Sequence, residues 1–424
     1  MPISYDEAWT FLNFTQKGII TSLCYYPAPN NHVFFSIITC LSNSIHFIDK
    51  TFSLRLPVIL SSLATLIITY DFIKRTLNKN VAIVMVTLMS VLFMNIYYSY
   101  MARGYSFLFL FFVISCYASF QILKNSSNKY LWLIFTISNV LGFFSIPSFL
   151  YPFLTLHVFV LLRLKNVSFL QIYSGGITVI LTILVYTPIG VLNGTNALTN
   201  NSYVTPISRV LVAQQLPAFF TTTLEELIGF NLGVVLTIIF CSMVYISIFK
   251  KEYILFYILF LSAPFILLII HSVIPFPRTF YYYSFIMSLL VVLPFEKILN
   301  KMKDITVFTI CFIIQFSFIY NFSIKIKNVE SYSLIIDQTI SNLKINHKDS
   351  IYCNSGLADA YLLYNNLNIE YSNPHYCNLD TLIPKYNNNY YLIDSHLDKT
   401  KFAKPLKNNK FFNIYYKETE NNLY

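Results

Sequence analysis

Two neighbouring acids, Asp6 and Glu7, stand near the start of a chain in which charge is otherwise scarce. Carboxylates at a helix N-terminus are held ionised by the helix dipole, so the pair could act as a general base or ligate a hard cation such as Mg²⁺ or Mn²⁺. Ser4, three residues before Glu7, also fits a capping box, in which serine and glutamate satisfy the first amides of a helix. The cationic counterparts are Arg103, in YYSYMARGY, and Arg278, in PRTFYYYS, each at the start of an apolar run. A guanidinium matches phosphate oxygens two at a time, but a charge at a span end can also simply snorkel to the headgroups. Arg55, in LRLP, is a weaker candidate, and Pro57 is expected to begin the helix there. Asn31 and His32 follow a proline turn, where Asn31 fits an N-cap and His32 a contact to a sugar hydroxyl or diphosphate. Tyr97-Tyr98 and the run Tyr281-Tyr282-Tyr283 read as interfacial aromatic belts, or as faces that stack on a sugar or prenyl chain.

These side chains need a scaffold. Of 424 residues, 56% are hydrophobic and 11% charged, and mean hydropathy is +0.58, far from the balance of a soluble domain. A helix needs about 20 apolar residues to cross about 30 Å of hydrocarbon. Ten runs qualify as candidates: 54–73, 81–99, 104–123, 130–147, 149–163, 169–191, 227–249, 253–271, 279–296 and 304–322. The expected fold is therefore an all-α polytopic membrane bundle over residues 54–324.

The net charge of +10 is not a nucleic-acid footprint. Of the 18 basic residues before position 325, 12 fall in alternate short loops, among them Lys74, Arg75, Lys79, Lys250 and Lys251, and 6 on the opposite side. The positive-inside rule makes the basic side cytoplasmic, which places both chain ends outside. An external N-terminus without a basic-then-apolar leader is expected to follow a further helix encoded upstream of Met1.

Residues 1–53 are expected to be an external segment whose 32–47 stretch lies along the interface as a short helix. The loop 192–226 is long enough to need a function or a partner surface. After Lys325 the composition changes to 11 Lys against 10 acids with asparagine-rich turns. Residues 325–424 read as a small soluble α/β domain, with strands at 350–353, 390–393 and 411–416 and a helix at 356–364. A Cys353–Cys377 disulfide is permitted outside the cell but not demanded by spacing. No phosphate-binding glycine loop and no Cys/His metal spacing occurs.

The order of these features resembles the GT-C membrane glycosyltransferases, more narrowly the protein O-mannosyltransferases and aminoarabinose transferases of bacteria. The likeness rests on the acidic pair, the PxxNNH turn, RLPxxLSSLATL, YxxxARGY and PRTFYYYS, and covers 4–165 well and 270–300 loosely. It implies transfer of a sugar from a polyprenyl-phosphate donor to a protein, lipid or glycan acceptor, at the outer face of the inner membrane and with inversion. Asp6 would then be the base, with Glu7 assisting or binding metal. Arg103, Tyr105 and Arg278 would hold the donor phosphate, and Asn31, His32 and Arg55 would touch substrate. Relatives often carry an acid just before the Ala-Arg pair, where this chain has Met101. The competing readings are a flippase or polymerase for polyprenyl-linked glycans, which needs charge along a path through the bundle, and a non-catalytic scaffold. His157 and Asp71 are the main ionisable groups inside the expected spans.

Overall fold

Among the described residues, each of the ten apolar runs is predominantly helical. The computed structural model describes residues 2–27, 30–45, 47–164, 168–199, 206–228, 232–329 and, beyond these, 350–354, 360, 363–365, 369–372, 390–394, 407–408 and 413–417. Within them, six helices are long and apolar enough to cross a membrane: Lys50–Thr76, Tyr105–Lys124, Pro147–Leu164, Phe169–Asn193, Lys251–His271 and Tyr283–Lys301. Lys79–Val91 and Phe93–Tyr100 would together make a seventh but are bent by 67°, and Lys129–Ser145, Leu236–Phe249 and Asp304–Tyr320 are shorter apolar helices. The chain is an integral membrane protein with a helical bundle.

Contacts divide the chain into two units, Met1–Lys17 with Ile326–Tyr424, and Gly18–Lys325. In the first unit, the helix Tyr5–Thr10 continues into a π-helical turn, Phe11–Thr15. Phe11 meets Tyr364 edge-on at 5.2 Å, and both rings are buried. The sheet of this unit has strands β1 (Ser350–Asn354), β2 (Ile369–Ser372), β3 (Tyr390–Asp394), β4 (Lys407–Asn408) and β5 (Asn413–Lys417). Their order is β2-β1-β3-β5-β4. β1 pairs in parallel with β2 and β3, and β5 runs antiparallel to β3 and β4.

In the bundle unit, side chains cap the helices that carry the site. Asp49 accepts from Phe52 N–H at 3.0 Å to start Lys50–Thr76, and Asn78 accepts from Val81 N–H at 2.9 Å to start Lys79–Val91. Pro57 therefore lies inside a helix that begins at Lys50, rather than opening one. Its missing N–H leaves the Ser53 carbonyl without a helical partner. Ser42 Oγ fills the gap by donating to Ser53 O at 2.8 Å, while Ser53 Oγ donates back to Ser42 O at 2.6 Å. Pro264 repeats the device, since the carbonyl it frees, that of Phe260, accepts the Tyr283 hydroxyl. Hydroxyls thus replace the ladder bonds that proline deletes, as an apolar surrounding requires. Ser42→Ala should lower unfolding free energy by about 1–2 kcal/mol by orphaning a buried carbonyl; denaturation in detergent at unchanged midpoint would refute this.

The bend at Leu92 has a comparable origin. Leu92 is extended, which ends the Lys79–Val91 helix, and Asn95 Nδ2 donates to the released Met89 carbonyl at 2.6 Å. The break redirects Phe93–Tyr100, with its tyrosines, toward Arg103. The 192–226 segment differs from its expectation as a loop, because Arg209–Ile228 is helical with Pro217 inside. The Tyr281–Tyr283 run differs too. All three rings are buried in the protein interior instead of forming a belt against lipid, with Tyr282 stacked on Phe280 at 5.7 Å and tilted against Phe112 at 5.1 Å. Asp71 bonds Arg75 at 2.8 Å and receives the Tyr117 hydroxyl at 3.0 Å. Cys24, Cys40, Cys116, Cys241 and Cys311 are free thiols, and Cys377 lies outside the described residues.

Candidate active site

The acidic pair belongs to the first unit, where its two carboxylates have different surroundings. Both halves of the capping box form: Glu7 N–H donates to Ser4 Oγ at 3.3 Å, and Ser4 N–H to Glu7 Oε2 at 2.9 Å. Glu7 is fully buried in that role. Asp6 is half-buried in the same first helical turn. Glu7 thus serves helix initiation, whereas Asp6 takes no part in the capping box. Among the described residues no group of three or more His, Cys, Asp or Glu side chains gathers to hold a metal. Mg²⁺ is commonly held by one or two carboxylates together with water and substrate phosphate oxygens, and Asp6 and Glu7 are the carboxylates that would meet it here.

The cationic residues gather in the bundle unit. Residues 101–104 form a tight turn in which Arg103 N–H donates to Met101 O at 2.7 Å, and the Tyr105–Lys124 helix starts immediately after it. His32 stands before the Val33–Asn43 helix without capping it. Its Nδ1 instead accepts from Gly104 N–H at 2.6 Å, and its ring meets Tyr105 edge-on at 5.0 Å. Position 104 must be glycine for this approach, because a Cβ there would lie 2.7 Å from His32 Cβ and 2.9 Å from Nδ1. Arg103 is buried and donates through Nη1 to Asn30 Oδ1. The Arg278 guanidinium lies 5.9 Å from the Tyr105 ring centre and 4.4 Å from that of Phe276. Tyr98 continues this wall, 4.7 Å from Tyr105 and 5.3 Å from Tyr281.

The electrostatics follow from this crowding of positive charge in a buried place. Burial first, then Arg103 and Arg278, hold His32 well below its ordinary value. It stays neutral, as its role as acceptor from a backbone amide requires. Burial pushes the Tyr26 phenol up to about 12, with Arg103 opposing the rise. Unfolded His32 takes up a proton near its ordinary 6.5 and folded His32 does not. Its stabilising contribution is complete above that pH and falls as the pH drops below it, by at most about 1.4 kcal/mol per pH unit. His32→Gln, which keeps an acceptor and cannot titrate, should flatten this part of the acid limb in thermal unfolding between pH 6.5 and 5. Parallel limbs would contradict the buried neutral imidazole.

The bundle unit thus brings Arg103, Tyr105, His32 and Arg278 together, and Asn31 and Arg55 have different surroundings. Asn31 is buried and holds the turn, donating from Nδ2 to Ser22 O at 2.8 Å and Tyr25 O at 2.9 Å while accepting from Ser36 Oγ at 2.8 Å. Arg55 is buried on the Lys50–Thr76 helix, 5.7 Å from the Tyr100 ring. Asn30 and Tyr26 were not singled out by sequence. The only hint was their place in the same YYPAPNNH turn, where adjacent asparagines cannot be told apart without tertiary contacts.

Residues 32–190 match the family model described as dolichyl-phosphate-mannose-protein mannosyltransferase. No curated protein matches the chain. Among solved structures, ArnT from Cupriavidus metallidurans in the apo state is similar, with a TM-score of 0.65 at 10% identity, over 98% of this chain and 93% of that one. ArnT from the same organism bound to undecaprenyl phosphate gives 0.59 at 11% identity, over 97% and 92%. The chain shares the fold of these ArnT structures, and the segment matched by the family model contains His32, Arg103, Gly104 and Tyr105.

Proposed function

We propose that the protein transfers a sugar from a polyprenyl-phosphate donor to an acceptor at the outer face of a bacterial inner membrane. The observation that carries this reading is the buried cluster in which neutral His32 pins the Arg103 turn while Arg278 faces the same tyrosine. Two guanidiniums converging in a low-dielectric, aromatic-walled place suit a phosphate that gains charge as it leaves. Support also comes from the fold shared with ArnT bound to undecaprenyl phosphate.

In the proposed step, Asp6 takes the proton of an acceptor hydroxyl or amine. The acceptor atom attacks the anomeric carbon from the face opposite the phosphate, the carbon–oxygen bond to phosphate breaks, and its electron pair stays on the polyprenyl phosphate. Positive charge grows on the sugar ring and negative charge on the leaving group, so Arg103 and Arg278 stabilise the transition state more than the ground state. Inversion follows from a single displacement. The acceptor is a protein, lipid or glycan carrying a nucleophilic hydroxyl or amine.

Purified protein with a panel of polyprenyl-phosphate sugars and outer-membrane lipid, protein and glycan acceptors tests the reading. Transfer of any one sugar, with release of polyprenyl phosphate, is expected, and donor movement between leaflets without transfer would replace the enzyme by a carrier. For orientation, cysteines introduced at positions 200 and 400 should react with an impermeant reagent from outside, whereas Ser127→Cys should not. The reverse pattern would invert the topology.

A further inference from the structure

The Arg209–Ile228 helix, unforeseen in the 192–226 segment, carries Glu225 and Glu226 in its last turn. It packs against the Phe93–Tyr100 helix, which supplies Tyr98, and against the Pro277–Phe280 turn, which supplies Arg278. Lys325 fixes its end: Nζ donates to Glu225 O at 2.8 Å and Glu226 O at 3.2 Å, carbonyls that a helix C-terminus leaves without ladder partners. The same ammonium lies 4.5 Å from the Phe93 ring centre. Glu225 is exposed, while Glu226 is half-buried. Burial pushes the Glu226 carboxyl up, and Lys325 and Arg278, both close enough to act on it, pull it back down. Tyr98, which touches Tyr105, lies within the field of both Glu226 and Arg278.

We propose that Glu226 reads the sugar of the lipid-linked donor, accepting hydrogen bonds from its ring hydroxyls beside the phosphate that Arg103 and Arg278 hold. This rests on the donor reading above. A sugar ring is joined directly to the phosphate, so a carboxylate that shares Arg278 with that phosphate faces the ring rather than the prenyl tail. An ionised carboxylate has acceptor sites for two neighbouring hydroxyls at once. The Ala-Arg motif itself brings no acid, since Met101 is buried and apolar there. Glu226, from a different element, supplies a carboxylate on a helix packed against the turn that carries Arg278.

The test is binding by the full chain in lipid nanodiscs, using polyprenyl phosphate with and without its sugar, over a panel of hexoses and pentoses. Glu226→Ala should weaken the sugar-bearing lipid by about tenfold or more, as expected when a charged hydrogen-bond acceptor is lost. Binding of the bare polyprenyl phosphate should stay the same or tighten, because a negative charge has been removed beside Arg278. Glu225→Ala should change neither. Equal loss for both lipids, or loss for neither, would overturn the inference while leaving the donor reading intact. A wild-type protein that binds bare polyprenyl phosphate but no sugar-bearing form would overturn both. Glu226→Gln, with the same volume, gives the reading should the alanine variant fail to fold, and its expected result has the same sign.

Discussion

Asp6→Asn is expected to lower sugar transfer by at least about 100-fold while leaving expression and thermal stability unchanged, the loss usual when a positioned general base is removed. Glu7→Gln is the informative partner. Glutamine at the third helical position still accepts from Ser4 N–H, so the capping box survives, and activity should stay within a few-fold of the wild type. Glu7→Ala should instead cost about 0.5–2 kcal/mol of stability through the lost cap. Initial rates in membranes supplied with donor, alongside melting curves, separate these outcomes. Full activity in Asp6→Asn would remove the base assignment, and a dead Glu7→Gln with an active Asp6→Asn would exchange the two roles.

Sequence foretold the helices because their signal is one-dimensional: a run of apolar residues long enough for hydrocarbon, with cationic loops on alternate sides. It foretold the capping box for the same reason, since Ser4 and Glu7 are three residues apart and satisfy each other locally. Features that depend on what lies across the bundle were not legible. Hydropathy cannot distinguish a tyrosine facing lipid from one facing protein, so Tyr281–Tyr283 read as a belt and are buried. No glycine or proline marks the break at Leu92, which is held by a side-chain bond from Asn95. The Arg209–Ile228 helix was hidden by Gln214, Gln215 and Thr221–Thr223, which lower its apolar score without lowering its ability to form helix. The site follows the same division. Arg103, His32, Tyr105 and Arg278 were visible as chemistry, but the hydrogen bond from Gly104 N–H to His32 that binds two of these elements together joins residues 72 positions apart.

Loss of the Arg103 guanidinium should be as damaging as loss of the base. A preorganised donor aimed at developing charge is commonly worth about 3–4 kcal/mol, so Arg103→Ala is expected to lower kcat/KM by about 100- to 1000-fold. Arg103→Lys keeps the charge but not the planar fork that grips two phosphate oxygens, and should recover only part of the rate. Asn30→Ala removes the acceptor of Arg103 Nη1 without touching the charge, and should therefore fall between wild type and Arg103→Lys. The ordering, and not the size of any one value, carries the claim. A guanidinium that only anchors the protein to headgroups would leave the kinetics of all three variants alike and shift their stability instead. Measured against varied donor and then varied acceptor, the loss in Arg103→Ala should fall on donor use, and a loss confined to acceptor use would take the phosphate away from Arg103.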